Sequence, residues 1–257
     1  LFKDFNNYPN LLAKLYAGLA VGGQEGGDGA PDISGIDGGF SNYLRQLHTM
    51  QVITTDEAVI GWNDGTLPQM HKMQWTPSNE FIGAIYYRIY TEIALCNEFL
   101  RNTTDERLSA NGISGDNLTK AKQMRAEARF LRAQSYYHAL DLFGNVPFVP
   151  ETYIPGSANT PDRIDRAALF NYVESELKAV EGELKDARTN EYGRADKAAA
   201  WTLLSRLYLN SKVYTGTERN NDVITYANKV IAAGYSLKPN YAHLFMADNN
   251  VSNNEVI

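Results

Sequence analysis

Residues 120–150 constrain this chain more than any other stretch. Ala, Leu, Arg, Gln, Glu and Lys dominate residues 121–142, and these lose little side-chain freedom in a helix. Apolar or small side chains recur on two lines, Met124–Ala128–Leu131 and Ala126–Phe130–Ala133–Tyr137–Leu140. Two lines make a wide apolar face, so this helix needs neighbours on more than one side. Small Ala beside large Phe, Leu and Tyr lets those neighbours approach closely. Gly144 can close the helix in a left-handed conformation, and Pro147 cannot continue it.

The flanking pattern is helical as well. Helices are expected over residues 8–21, 40–50, 79–101, 166–187, 195–210 and 223–233, with a short apolar segment at 241–246. Residues 22–39 hold eight glycines and four carboxylates and read as a loop. Residues 52–77, 102–115 and 212–221 read as polar loops or turns. No strand alternation of useful length occurs, so the expected fold class is all-α. Helix, short turn and helix recur over the last 140 or so residues, in the style of a tetratricopeptide solenoid.

Composition excludes several functions. The net charge of −6 does not suit a sequence-neutral nucleic-acid binder. The single cysteine, Cys96, allows no intrachain disulfide and reads as a small buried apolar residue. No stretch reaches the length of apolar sequence that a membrane helix needs. The four histidines, His48, His71, His138 and His243, are dispersed and suggest no zinc site. Asp28, Asp32 and Asp37 offer calcium ligands, but not at the spacing of a helix-loop-helix calcium loop. No metal or cofactor is expected. The glycine-rich loop has no lysine, and its carboxylates would repel phosphate.

Candidate chemistry lies in the aromatic residues and in one acidic pair. The chain holds 16 Tyr and 3 Trp. Such rings stack on the apolar faces of sugars, and equally well fill cores and interfaces. Trp62, in a Gly/Asn/Asp loop, is by sequence either an anchor or an exposed ring. Trp75 and Trp201 read as structural, with Trp201 in the core. Asp56 and Glu57 are adjacent, so they tend to diverge and do not make the facing carboxylates of a glycosidase. A structural role in the loop or in helix capping is expected for them. Arg125, Arg129 and Arg132 share a helix face, where ion pairs to neighbouring elements are the plain reading. No Ser or Cys nucleophile signature is present, and no enzyme is expected.

A series of motifs, in order, resembles the SusD/RagB family of outer-membrane glycan-binding lipoproteins. It comprises Thr55-Asp56-Glu57, Arg125-Ala126-Glu127-Ala128-Arg129-Phe130-Leu131-Arg132-Ala133 and Asp141-Leu142-Phe143-Gly144-Asn145-Val146-Pro147. Further on come Gly193-Arg194-Ala195-Asp196-Lys197-Ala198-Ala199, Arg206-Leu207-Tyr208-Leu209-Asn210, Val213-Tyr214-Thr215-Gly216 and Leu244-Phe245-Met246-Ala247-Asp248-Asn249.

The resemblance implies a single SusD-like domain over residues 1–257, about the first half of a family member. Within it, residues 1–115 would be the loop-rich glycan-facing part and 116–257 the tetratricopeptide-like scaffold. It implies a non-catalytic protein that binds an oligosaccharide and delivers it to a TonB-dependent transporter of the SusC type. It also implies an outward-facing position on the outer membrane, held by a lipidated cysteine upstream of Leu1. Both chain ends, Leu1-Phe2 and Glu255-Val256-Ile257, read as cut. By resemblance to starch-binding members, Arg45 and Trp62 are carried over as site residues. The asparagine of that site falls near Asn63 and Asp64, in a loop one residue shorter here. The site's other ring would lie beyond Ile257.

Overall fold

The computed structural model describes residues 1–25, 29–156, 159–251 and 253–257. They fall into two compact units, Leu1–Asp165 and Arg166–Ile257. The division of role expected between residues 115 and 116 runs through the first turn of a helix inside the first unit.

The first unit contains α1 (Tyr8–Ala20), α2 (Tyr43–His48), α3 (Leu67–His71), α4 (Glu80–Asn102), α5 (Asp105–Ala110) and α6 (Gly115–Phe143). A π-turn segment, Thr49–Ile53, continues α2. The two long helices α4 and α6 pack along each other, with α1 against both and α2 against α4. Helix α4 buries Ile85, Ile89, Ile93, Cys96 and Leu100, whose spacing of three and four puts them on one face. Both apolar lines predicted for α6 are buried. The helix ends at Gly144 as expected, though with ψ −90° the glycine lies outside the left-handed helical region. Gly144 adopts φ 74°, and its N–H reaches the carbonyls of Ala139 and Leu140 at 3.2 and 3.0 Å.

Beyond that stop the chain is pinned back onto the helices by side chains. Tyr90 Oη donates to the Pro147 carbonyl at 2.7 Å, and Asn97 Nδ2 to the Val149 carbonyl at 2.8 Å. The Tyr136 hydroxyl accepts from Val149 N–H at 2.8 Å. The only strands among the described residues are β1 (Val146–Pro147) and β2 (Arg163–Ile164). They pair antiparallel, Val146 opposite Ile164.

The second unit contains α7 (Arg166–Glu181), α8 (Lys197–Leu209), α9 (Ser211–Thr215) and α10 (Asn220–Ala232), then a 3₁₀ turn at Tyr241–Phe245. Helix α8 packs between α7 and α10. The stripe Leu169, Val173, Leu177 and Val180 is buried, as its period requires. Asp196 caps α8 through the N–H groups of Ala198 and Ala199, at 2.8 and 3.2 Å.

The all-α expectation holds, with four local corrections. Helix α7 stops at Glu181, and Leu184 reaches the core from the turn that follows. Short helices α3, α5 and α9 occupy stretches read as loops. Their five or six residues are too few to show a period, although Pro68 in the first turn of α3 and Thr104 capping α5 are start signals. Trp201 is half-buried at the flank of α8, where its indole donates to Glu181 Oε1 at 2.8 Å; it is not a core residue. Asp56 and Glu57 are exposed and cap no helix; the loop role is the one that remains, with Glu57 N–H donating to Thr55 Oγ1 at 3.2 Å. The arginines of α6 behave as expected where they are described: Arg125 pairs with Asp105 at 2.7 Å, and Arg132 with Glu151.

One buried acid bears on stability. Glu92 of α4 is only 2% exposed, and Cys96 Sγ donates to it at 3.6 Å. Its carboxyl nests against Gly18 of α1, where an added Cβ would collide with it. Burial raises its pKa to about 8. A folded pKa above the unfolded value means stability that is complete below about 4.5 and is lost as pH rises through about 8. Glu92→Gln is therefore expected to match the parent in thermal melts at pH 5. At pH 9 it should exceed the parent by roughly 4 kcal/mol. Identical pH profiles for the two proteins would refute this.

Candidate functional site

The site residues rest on two loops that flank α2 and lead to α4. The first is the glycine-rich loop. It is held by Arg88, a residue only 3% exposed inside the apolar stripe of α4. Arg88 Nε donates to the Ser41 carbonyl at 2.7 Å. Its Nη2 donates to the Gly22 carbonyl and to Ser41 Oγ, at 3.0 and 3.2 Å. Its Nη1 is ion-paired with Asp32. Both ends of the loop are thus fixed to one guanidinium. Asp37 Oδ1 accepts from the N–H groups of Gly39 and Phe40 at 2.7 and 3.2 Å. Of the three aspartates considered for calcium, Asp32 and Asp37 are so occupied, and Asp28 lies outside the described residues.

The loop leads directly into α2. Asn42 caps that helix, accepting from Arg45 N–H at 2.9 Å. Arg45 Nη1 donates to the Gly39 carbonyl at 2.9 Å, which fixes the side chain over the loop's end.

The second loop runs from Thr54 to Asn79 and carries Trp62. Its floor is a small apolar cluster of Ile53, Leu67, Met70 and Phe81, with Ala58 and Ile60 from the loop packed on it. Phe40 stacks on Phe81 at 4.5 Å between centroids, which joins the two loops from below. Gly65 takes φ 45°, and a Cβ there would strike Glu80 Oε1. Next to it, Thr66 and Glu80 bond reciprocally. Glu80 Oε1 accepts from Thr66 N–H at 2.9 Å, and Glu80 N–H donates to Thr66 Oγ1 at 3.2 Å. Asn79 caps α4 and also donates to the Thr66 carbonyl at 3.1 Å.

On this base the Arg45 guanidinium carbon sits 5.4 Å from the centroid of the Trp62 ring, within cation–π range. Trp62 remains 60% exposed. Of the two readings open for it in the sequence, the exposed ring is the one the fold adopts. Asn63 and Asp64 are exposed beside it, and the Asp64 carbonyl accepts from Leu67 N–H at the start of α3. Their side chains make no hydrogen bond among the described residues. Trp75, read as structural, is 45% exposed.

The arrangement offers an aromatic face with guanidinium donors at its side and amide and carboxylate acceptors nearby. The apolar face of a pyranose stacks on such a ring while its hydroxyls meet the polar groups. Among the described residues no group of three or more His, Cys, Asp or Glu side chains converges on one point. The sequence reading missed Arg88 and Glu80. A charged residue inside the stripe Phe81–Ile85–Arg88–Glu92–Cys96 was the available signal for Arg88.

A family model described as "Starch-binding associating with outer membrane" matches residues 40–209, which include the Trp62 loop and most of the helices. The chain belongs to this SusD-like family. The starch-binding protein SusD of Bacteroides thetaiotaomicron is 38% identical over 247 residues, covering 95% of this chain and 42% of that protein. Two solved structures share the SusD-like fold. A SusD-like carbohydrate binding protein of Bacteroides fragilis aligns with TM-score 0.72 at 23% identity, over 98% of this chain and 45% of that one. A laminarin binding SusD-like protein aligns with TM-score 0.71 at 19% identity, over 96% and 49%. The chain therefore spans less than half the length of each of these SusD-like proteins.

Arg88 is the anchor of the first loop, so its removal should be costly. Breaking a buried, fully bonded ion pair destabilises by about 3–5 kcal/mol. Arg88→Ala should lower unfolding stability by that order in denaturant titrations. It should also speed amide exchange across residues 22–41. A loss under about 1 kcal/mol, with exchange unchanged, would show that the loop is held by other means.

Proposed function

We propose that the chain is part of a non-catalytic, outward-facing receptor of the outer membrane that binds an oligosaccharide. An α-glucan of the starch type is the favoured ligand. The receptor passes its ligand to a TonB-dependent transporter of the SusC type and is anchored through a lipidated cysteine upstream of Leu1. Residues 1–115 carry the glycan-facing loops, and 116–257 the helical scaffold.

The observation that carries this reading is the exposed Trp62 ring with Arg45 fixed at its side. Trp62 stacks on one sugar ring, and Arg45 with Asn63 or Asp64 bonds its hydroxyls. The identity with a starch-binding relative supports the choice of glucan. The fold by itself supports no such choice, since a laminarin binder shares it. Cys96 is fully buried in α4 and unsuited to lipid attachment, in keeping with an anchor elsewhere.

Calorimetry of the full-length protein with maltoheptaose tests the reading. Stacking on an aromatic ring is worth about 1–3 kcal/mol per ring on the scale known for bases, so Trp62→Ala should weaken binding by roughly tenfold or more. Unchanged affinity in Trp62→Ala would sink the site. Silence with every glycan, alongside retained capture of the transporter, would point instead to a docking adaptor.

A further inference from the structure

Trp75 is not accounted for by packing. It is 45% exposed, and its indole N–H has no hydrogen-bond partner among the described residues. Trp201 shows what a structural tryptophan looks like in this chain. It is half-buried, its N–H is given to Glu181 at 2.8 Å, and Lys229 lies 5.6 Å from its ring centroid.

The turn that delivers Trp75 is the C-terminal cap of α3. Met73 sits at φ 51°, in the left-handed region that an unbranched L residue enters only at a cost. That cost is not recovered by burying Met73, which is 62% exposed. What the conformation does is reverse the chain after α3. Met73 N–H returns to the Met70 carbonyl at 3.1 Å, and Gln74 N–H to the Gln69 carbonyl at 2.9 Å. The turn then lifts residues 72–78 into a ridge that is exposed throughout. The bonds from Met73 and Gln74 are the two bonds of a Schellman helix end, so the left-handed Met73 is the residue that terminates α3.

The ridge is nonetheless firmly placed. The Thr76 carbonyl accepts from Asn79 N–H at 3.0 Å, and Thr76 Oγ1 shares a hydrogen bond with Ser78 Oγ at 2.9 Å. Asn79 is the same residue whose side chain donates to the Thr66 carbonyl, at the foot of the Trp62 loop, and to Gln69 Oε1 at 3.0 Å. Both tryptophans therefore hang from one buried asparagine. Trp62 lies four residues before Thr66, and Trp75 one before Thr76. With at most about 3.6 Å of chain per residue, the two Cα atoms lie within roughly 35 Å of each other. A single extended oligosaccharide can bridge such a distance.

We propose that Trp75 is a second stacking ring for the glycan held at Trp62. It would engage the chain several sugars away, with Gln74, Thr76 and Ser78 serving the hydroxyls. These neighbours are uncharged donors and acceptors, which suits a neutral sugar better than a charged partner. The inference rests on the reading of Trp62 as a glycan platform.

The test compares two ligand lengths. Full-length parent, Trp62→Ala, Trp75→Ala and Trp75→Phe proteins are titrated with maltotriose and maltoheptaose, after thermal melts confirm folding. The proposal expects Trp75→Ala to weaken maltoheptaose by roughly tenfold and maltotriose far less, with Trp75→Phe close to the parent. Trp62→Ala should weaken both ligands alike. Equal effects of Trp75→Ala on both lengths, or none on either, would overturn the second platform while leaving Trp62 in place. An unaffected Trp62→Ala, or silence of the parent with both sugars, would bring down the glycan reading and this inference with it.

Discussion

A guanidinium inside a helix bundle is tolerated only when its donors are used, because an unpaired charge in that setting costs several kcal/mol. Arg88 meets this condition with groups from outside its own helix. Two backbone carbonyls, one serine hydroxyl and one carboxylate converge on it, all from residues 22–41. That stretch is rich in glycine and has little apolar surface of its own to bury. Its described residues are held mainly by polar bonds to the core, with Phe40 on Phe81 as the packing contact at its end. Everything that follows in the chain inherits the placement: Ser41 is bound to Arg88, Asn42 begins α2, and Arg45 lies one turn along.

The second loop is held by a different device with the same logic. Its apolar floor fixes its height, and the start of α4 fixes its register. Asn79 caps the free N–H groups of α4 and donates its amide to the Thr66 carbonyl, while Glu80 grips Thr66 with its own N–H and its carboxylate. The two loops meet through Phe40 on Phe81 below and Arg45 on Trp62 above. One long helix, α4, therefore organises both. Helix α6, the most recognisable element of the sequence, supplies the opposite wall of the core and does not reach this surface pair through any bond described.

The helical frame was legible because its period is strong. Both apolar lines of α6, the stripe of α7 and the Gly144 stop appear where residue spacing alone puts them. The short helices α3, α5 and α9 were not, since five or six residues cannot display a 3.6-residue period. Trp201 was misplaced because an Ala/Leu helix looks apolar all round until its neighbours are known. The pair Arg45–Trp62 came from family resemblance and not from spacing, since 16 residues separate them, the second half of them irregular. The bonds that bring them together are made by Gly39, Thr66, Asn79 and Glu80, whose roles depend on tertiary geometry that no local pattern encodes.

The account stands on a claim of presentation: a rigid helical frame holds Trp62 and Arg45 outward, already arranged for a sugar. A crystal structure of the full-length protein soaked or grown with a maltooligosaccharide examines this directly. The account predicts a pyranose ring stacked on Trp62, the Arg45 guanidinium within hydrogen-bond distance of its hydroxyls, and residues 29–41 and 54–79 arranged as they are here. A sugar bound elsewhere with Trp62 left in solvent, or a Trp62 loop rebuilt around the ligand, would contradict it.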